Sequence, residues 1–140
     1  MTKEHLRKIN TTTLAYLGDA VFEVIVREKI VTEKPGDVDR AHHTAVRYVS
    51  AAGQAKAARA MVSSGFLTEE ETEVYRKART PRAMSRPQHA DPKEDKIATG
   101  FEALLGWLYI SDERERLREI AAEAVRIVDA SAAAGAKKQK

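Results

Sequence analysis

The chain has 140 residues, 43% of them hydrophobic, no cysteine, and 24 Lys and Arg against 21 Asp and Glu, a formal net charge of +3 at pH 7. That length suits one domain able to bury its own core, and the lack of cysteine excludes disulfides, thiolate zinc sites and cysteine nucleophiles. No apolar run approaches the length needed to cross a bilayer, and Met1-Thr2-Lys3-Glu4-His5-Leu6 lacks the apolar stretch of a signal peptide, so a cytoplasmic protein with no membrane partner is expected.

The pattern is helical almost throughout. Leu14, Leu17, Val21, Val24, Ile25 and Val26 recur mostly at three- and four-residue steps and predict a buried helix of about five turns. After Lys34-Pro35-Gly36, Asp37 is a natural N-cap for a helix carrying Ala41, Val46 and Val49. Ser50 caps an Ala-rich helix through Met61 and Val62, which Gly65 closes. Thr68 and Glu71 form a capping box opening a helix to about Ala78. Thr80 to Pro92 holds three of the four prolines and reads as a long loop. Helix resumes near Asp95 through Trp107 and Tyr109, and Ser111-Asp112 is expected to cap a last helix bearing Leu117, Ile120, Ala124 and Val128. No strand pattern and no internal repeat is evident. The fold class is all-α, with residues 1–130 as the domain and 131–140 as a flexible basic tail.

Two apolar stretches each carry one acid: Asp19 within Leu14–Val21, and Glu102 within Gly100–Gly106. An isolated carboxylate is costly in an apolar setting unless it is paired or binds a metal. Helical spacing places Thr12, Ala15, Asp19 and Glu23 on one stripe and Asp95, Thr99 and Glu102 on another. If the stripes face each other, Asp19 and Glu102 meet and suit Mg²⁺ or Mn²⁺, hard cations that take carboxylate, water and phosphate oxygens. The residues alone admit a second reading, in which the acids pair with Arg or Lys or are partly solvated. Glu23 and Asp95 are candidate helpers at such a site, or a structural acid and a helix cap. Gly18, Gly100 and Gly106 allow helices to pack closely. His42, His43 and His89 read as contacts to solvent or phosphate rather than acid–base groups.

Charge is segregated along the chain. Glu69, Glu70, Glu71 and Glu73 precede Arg76, Lys77, Arg79, Arg82 and Arg86, a stretch without acids. Cations favour a helix C-terminus, which accounts for Arg76, Lys77 and Arg79. Arg82 and Arg86 lie beyond the helix and point to a polyanion such as RNA.

Leu17-Gly18-Asp19-Ala20-Val21 resembles the signature helix of ribonuclease III domains, and Phe101-Glu102-Ala103-Leu104-Leu105-Gly106 resembles their second catalytic helix. The similarity runs from about Thr11 to Val128. Val49–Lys56, Gly65–Glu71 and Tyr75–Arg79 are similar, in order and spacing, to the Mini-ribonuclease III branch, which has the nuclease domain without a double-stranded-RNA-binding domain. The resemblance implies a ribonuclease III helical fold and a homodimer with Tyr16 at its interface. It implies Asp19 and Glu102 as catalytic, metal-binding residues for Mg²⁺, with Mn²⁺ as an alternative; Glu23, Asp95 and Thr99 are candidates around them by helical spacing alone. The larger enzymes carry four acids here; this chain has Ala15 and Thr99 at two of those positions, and Thr12 replaces a further acid of the signature. Weak metal binding without RNA is therefore expected. The resemblance further implies an endonuclease for double-stranded RNA that leaves 5′-phosphate ends. Its expected substrate is the 23S ribosomal RNA precursor, with ribosomal proteins as candidate partners and the Arg76–Arg86 stretch on the RNA. Two rivals share the helical architecture: an RNA-binding protein that does not cut, and a structural dimer with salt-bridged acids.

Overall fold

A computed structural model describes residues 2–34, 36–79 and 92–138. The described residues form seven helices and no strand: α1 (Lys3–Arg7), α2 (Thr11–Glu33), α3 (Val38–Val49), α4 (Ala51–Ser64), α5 (Glu69–Arg79), α6 (Pro92–Ile110) and α7 (Arg114–Lys138). The all-α class follows directly. None of these helices is long and apolar enough to cross a membrane.

Several boundaries lie where side-chain chemistry places them. Asp37 accepts a hydrogen bond from the Arg40 N–H at 2.8 Å and Ser50 from the Gly53 N–H at 3.2 Å, each covering a backbone donor that the first turn leaves free. Thr68 and Glu71 form the reciprocal box: the Thr68 N–H donates to Glu71 at 2.9 Å and the Glu71 N–H to the Thr68 hydroxyl at 3.1 Å. Gly65 closes α4 in the left-handed conformation, at φ 73°.

The turn after α6 departs from expectation. Ser111 and Asp112 close α6 rather than open α7. Asp112 takes φ 60°, its N–H donates to the Tyr109 carbonyl, and the Glu113 N–H donates to the Leu108 carbonyl, the paired bonds of a Schellman ending. Aspartate is one of the few residues besides glycine that tolerates this backbone region. The short helix α1, capped by Thr2, is not among the expected elements.

Helix α6 is central and packs on α2, α4, α5 and α7. Its Ile97, Ala98, Phe101, Ala103, Leu104, Leu105 and Leu108 are all buried, the all-round burial expected of a core helix. Phe22 of α2 meets Phe101 edge-on, with centroids 5.2 Å apart. Val24 and Val46, read from periodicity as inward residues, are exposed. Val24 lies eight residues from exposed Tyr16, on the same face of α2.

The long helices α2 and α6 touch backbone to backbone. A Cβ added at Gly18 would lie 1.6 Å from the Glu102 carbonyl oxygen, and one at Gly106 would lie 2.0 Å from the Leu14 carbonyl oxygen. Only glycine fits at either crossing point. These two glycines set the distance between the acid-bearing helices, as the close-packing reading predicts.

Candidate active site

Asp19 follows Gly18 directly, and Glu102 supplies the carbonyl that Gly18 packs against, so the close crossing carries both acids together. The Glu102 carboxyl is pushed up to about 9: burial is the largest cause, followed by a hydrogen bond to Asp19, the charge of Asp19 and the charge of Asp95. The fold thus brings the two stripes face to face. Asp19 itself is exposed, which corrects the expectation that both acids sit in an apolar interior. Glu102 is half-buried and Asp19 lies at the rim of the crossing. The named causes that act on Glu102 among the described residues are burial and the acids Asp19 and Asp95.

The surrounding residues divide by what they touch. Thr12 donates its backbone N–H, at 2.8 Å, and its hydroxyl, at 2.6 Å, to the Asn10 carboxamide oxygen, and so belongs to the start of α2. Ala15 is buried in a small cluster with Leu14, Ala78 and Ala103. Glu23 accepts from Arg27 at 3.0 Å, one turn along the helix, the structural pairing. The Thr99 hydroxyl donates to the Asp95 carbonyl at 2.8 Å. Asp95 lies within the first two turns of α6, and its Oδ2 is buried with no hydrogen-bond partner among the described residues. Among the described residues, no three His, Asp or Glu side chains converge tightly enough to enclose a metal ion by themselves.

The basic end of α5 packs on α6. A Cβ at Gly100 would lie 2.8 Å from a Tyr75 ring carbon and 2.9 Å from Arg79 Cγ, so the last turns of α5 lie against α6 at Gly100. Arg76, Lys77 and Arg79 are exposed there, and the Arg79 guanidinium rests 5.5 Å from the Tyr75 ring centre. Gly100 and Glu102 are two residues apart and lie on different faces of α6, so this packing does not by itself bring the three cations to the acids. Arg82, Arg86 and His89 lie outside the described residues. His42 and His43 are exposed on α3.

Two features do not emerge from periodicity and spacing. Tyr16 is 84% and Val24 64% exposed, and with exposed Ala20 they form an apolar stripe at four-residue steps on α2, beside Asp19. The spacing is visible in the sequence, but α2 is apolar on several faces, and periodicity does not say which face is covered. The second is a buried ion pair between α5 and α7. Arg116 donates from Nε and Nη2 to Glu71, both at 2.8 Å, and from Nη2 to the Phe66 carbonyl at 2.6 Å. Its partners stand 45 and 50 residues away, and no local pattern reports such a contact.

A family model described as Ribonuclease III domain matches residues 12–113. Mini-ribonuclease 3 of Symbiobacterium thermophilum is 40% identical over 117 residues, covering 84% of this chain and 88% of that protein. Mini-ribonuclease 3 of a Thermoanaerobacter species is 36% identical over 129 residues, covering 92% and 89%. The crystal structure of protein FN1578 from Fusobacterium nucleatum shares the fold with a TM-score of 0.75 at 23% identity, over 86% of this chain and 94% of that one. With two acids joined at a glycine-set crossing of α2 and α6, and a matched domain that spans both, the chain belongs to the ribonuclease III family of endoribonucleases, in its Mini-ribonuclease 3 branch.

Proposed function

We propose that this chain is a divalent-cation-dependent endoribonuclease that cuts double-stranded RNA as a homodimer, with Asp19 and Glu102 holding Mg²⁺, or Mn²⁺, in each subunit. The observation that carries the proposal is the close crossing at Gly18, which brings the half-buried Glu102 carboxyl to Asp19, where burial and two further acids push it up to about 9. Such a group keeps its proton at neutral pH unless a cation arrives, and a hard cation with oxygen ligands fits this donor set. The buried Oδ2 of Asp95, without a hydrogen-bond partner among the described residues, supports the same fit. Bound there, a divalent cation supplies Lewis acidity at the phosphate and lowers the pKa of water.

The chain's own residues do the rest. Asp19, at the rim, meets both solvent and substrate, while Glu102 anchors the site from the helix crossing. Arg76, Lys77 and Arg79 neutralise phosphates of the duplex, and Arg82 and Arg86 extend that contact. The stripe of Tyr16, Ala20 and Val24 gives the second subunit an apolar face adjacent to Asp19, so that two sites line one duplex and each cuts one strand. Products carry 5′-phosphate and 3′-hydroxyl ends. By kinship with its branch, the substrate is the double-stranded 23S ribosomal RNA precursor in the cytoplasm, with ribosomal proteins as candidate assistants.

The test is incubation with duplex RNA in Mg²⁺ or EDTA, comparing Asp19→Asn and Glu102→Gln. Cutting that needs metal and is lost in both variants is the expected result. The neutral residues Ala15 and Thr99 favour a second reading, an RNA-binding protein that does not cut. Duplex binding with no cutting by the unmodified chain establishes that reading instead.

A further inference from the structure

Asp95 precedes Glu102 by seven residues, two turns of α6, and so shares its face. Its Oδ2 is buried and meets no hydrogen-bond donor among the described residues. Thr99, between the two acids on this face, gives none: its hydroxyl is committed to the Asp95 backbone carbonyl. The charge of Asp95 nevertheless reaches Glu102. A withdrawn carboxylate oxygen without a donor, on a face shared with further acids, is stabilised by a cation.

Distance sets the form of that contact. Two turns span about 10 Å along the helix axis, whereas a Mg²⁺–oxygen bond is about 2 Å. Glutamate in a helix leans toward the N-terminus, which brings Glu102 toward Asp95 without closing the gap. The remaining span is that of a hydrated ion, and Mg²⁺ keeps several of its waters when protein-bound. We propose that Asp95 is a third anionic member of the cation site, a positioning residue that holds a water of the hydrated divalent ion and restores, one turn upstream, the charge missing at Thr99. The inference rests on the proposed cation site at Asp19 and Glu102.

A different role is open to an acid near the start of a helix, stabilisation of the free N–H groups there. The two separate by experiment. Mn²⁺ binding to the full chain is followed by electron paramagnetic resonance for the unmodified protein, Asp95→Asn, Asp19→Asn and Glu102→Gln, and each thermal midpoint is measured in EDTA. For Asp95→Asn the expected result is Mn²⁺ affinity weakened about tenfold, the size found for partners that orient metal ligands, with a midpoint in EDTA that is unchanged or raised. Unchanged Mn²⁺ affinity in Asp95→Asn overturns the inference, and so does a lowered midpoint in EDTA, which assigns Asp95 to the helix start. If Asp19→Asn and Glu102→Gln lose Mn²⁺ while Asp95→Asn does not, only this inference falls. If all three bind like the unmodified chain, the cation site itself falls.

Discussion

Glu71 is buried and Glu102 half-buried, and the fold treats them in opposite ways. Glu71 is 4% exposed. It accepts two bonds from Arg116 and one from the Thr68 N–H, and Arg116 is itself fixed by the Phe66 carbonyl and lies 4.8 Å from the Phe66 ring centre. Burial alone would raise the Glu71 carboxyl, but the hydrogen bond from Arg116, the Thr68 N–H and the Arg116 charge outweigh it and hold the group below its usual range. Glu102 has burial and two acids acting on it among the described residues, and rises to about 9. The first carboxylate is a finished structural tie between α5 and α7. The second is an incomplete arrangement that a cation completes, and that incompleteness marks the site.

The comparison breaks most sharply in catalysis. Asp19→Asn and Glu102→Gln are expected to lower the rate of duplex cleavage on the order of a thousandfold, the scale of losing a group that stabilises transition-state charge. Glu71→Gln is expected to leave the rate per folded molecule unchanged. Single-turnover assays on duplex RNA check both.

Stability reverses the order. Arg116→Ala leaves Glu71 as an unpaired buried charge, and is expected to cost about 3–5 kcal/mol in urea unfolding. Gly18→Ala forces a methyl onto the Glu102 carbonyl and is expected to cost at least as much, on the order of 4 kcal/mol or more. Glu102→Gln, by contrast, removes repulsion and is expected to stabilise the metal-free protein at alkaline pH.

Much of this is legible in the sequence. Asp37, Ser50, Thr68, Glu71 and Gly65 act locally, through atoms within a turn, and their positions follow from residue type and spacing alone. The meeting of Asp19 with Glu102 is readable because helical spacing defines faces and small residues mark crossings. What is not legible depends on distant chain. Val24 and Tyr16 look like their buried neighbours until packing shows which face of α2 is covered. Asp112 reads as an N-cap, yet ends the preceding helix. Arg116 shows no local sign of its tie to Glu71. The solvation of Asp19 and the lack of a hydrogen-bond partner for Asp95 Oδ2 among the described residues are likewise tertiary facts.

Smaller effects follow from pH. Glu71, held low when folded, contributes stability that is present above the unfolded carboxyl range and lost as pH falls. Glu102, held high, works the other way: between 4.5 and about 9 the folded state binds the proton that the unfolded state has released. Its contribution is therefore full below 4.5 and lost as pH rises through about 9. In EDTA, stability is expected to fall across this window by at most about 1.4 kcal/mol per pH unit, and Glu102→Gln flattens the slope. Urea midpoints taken across that pH range check it.

The central claim, that Glu102 exchanges its proton for a cation, is tested most directly by Mn²⁺ affinity of the RNA-free protein between pH 6 and 8. One proton released per ion bound predicts affinity rising about tenfold per pH unit, and Glu102→Gln abolishes the rise. An affinity flat with pH in the unmodified chain contradicts the account.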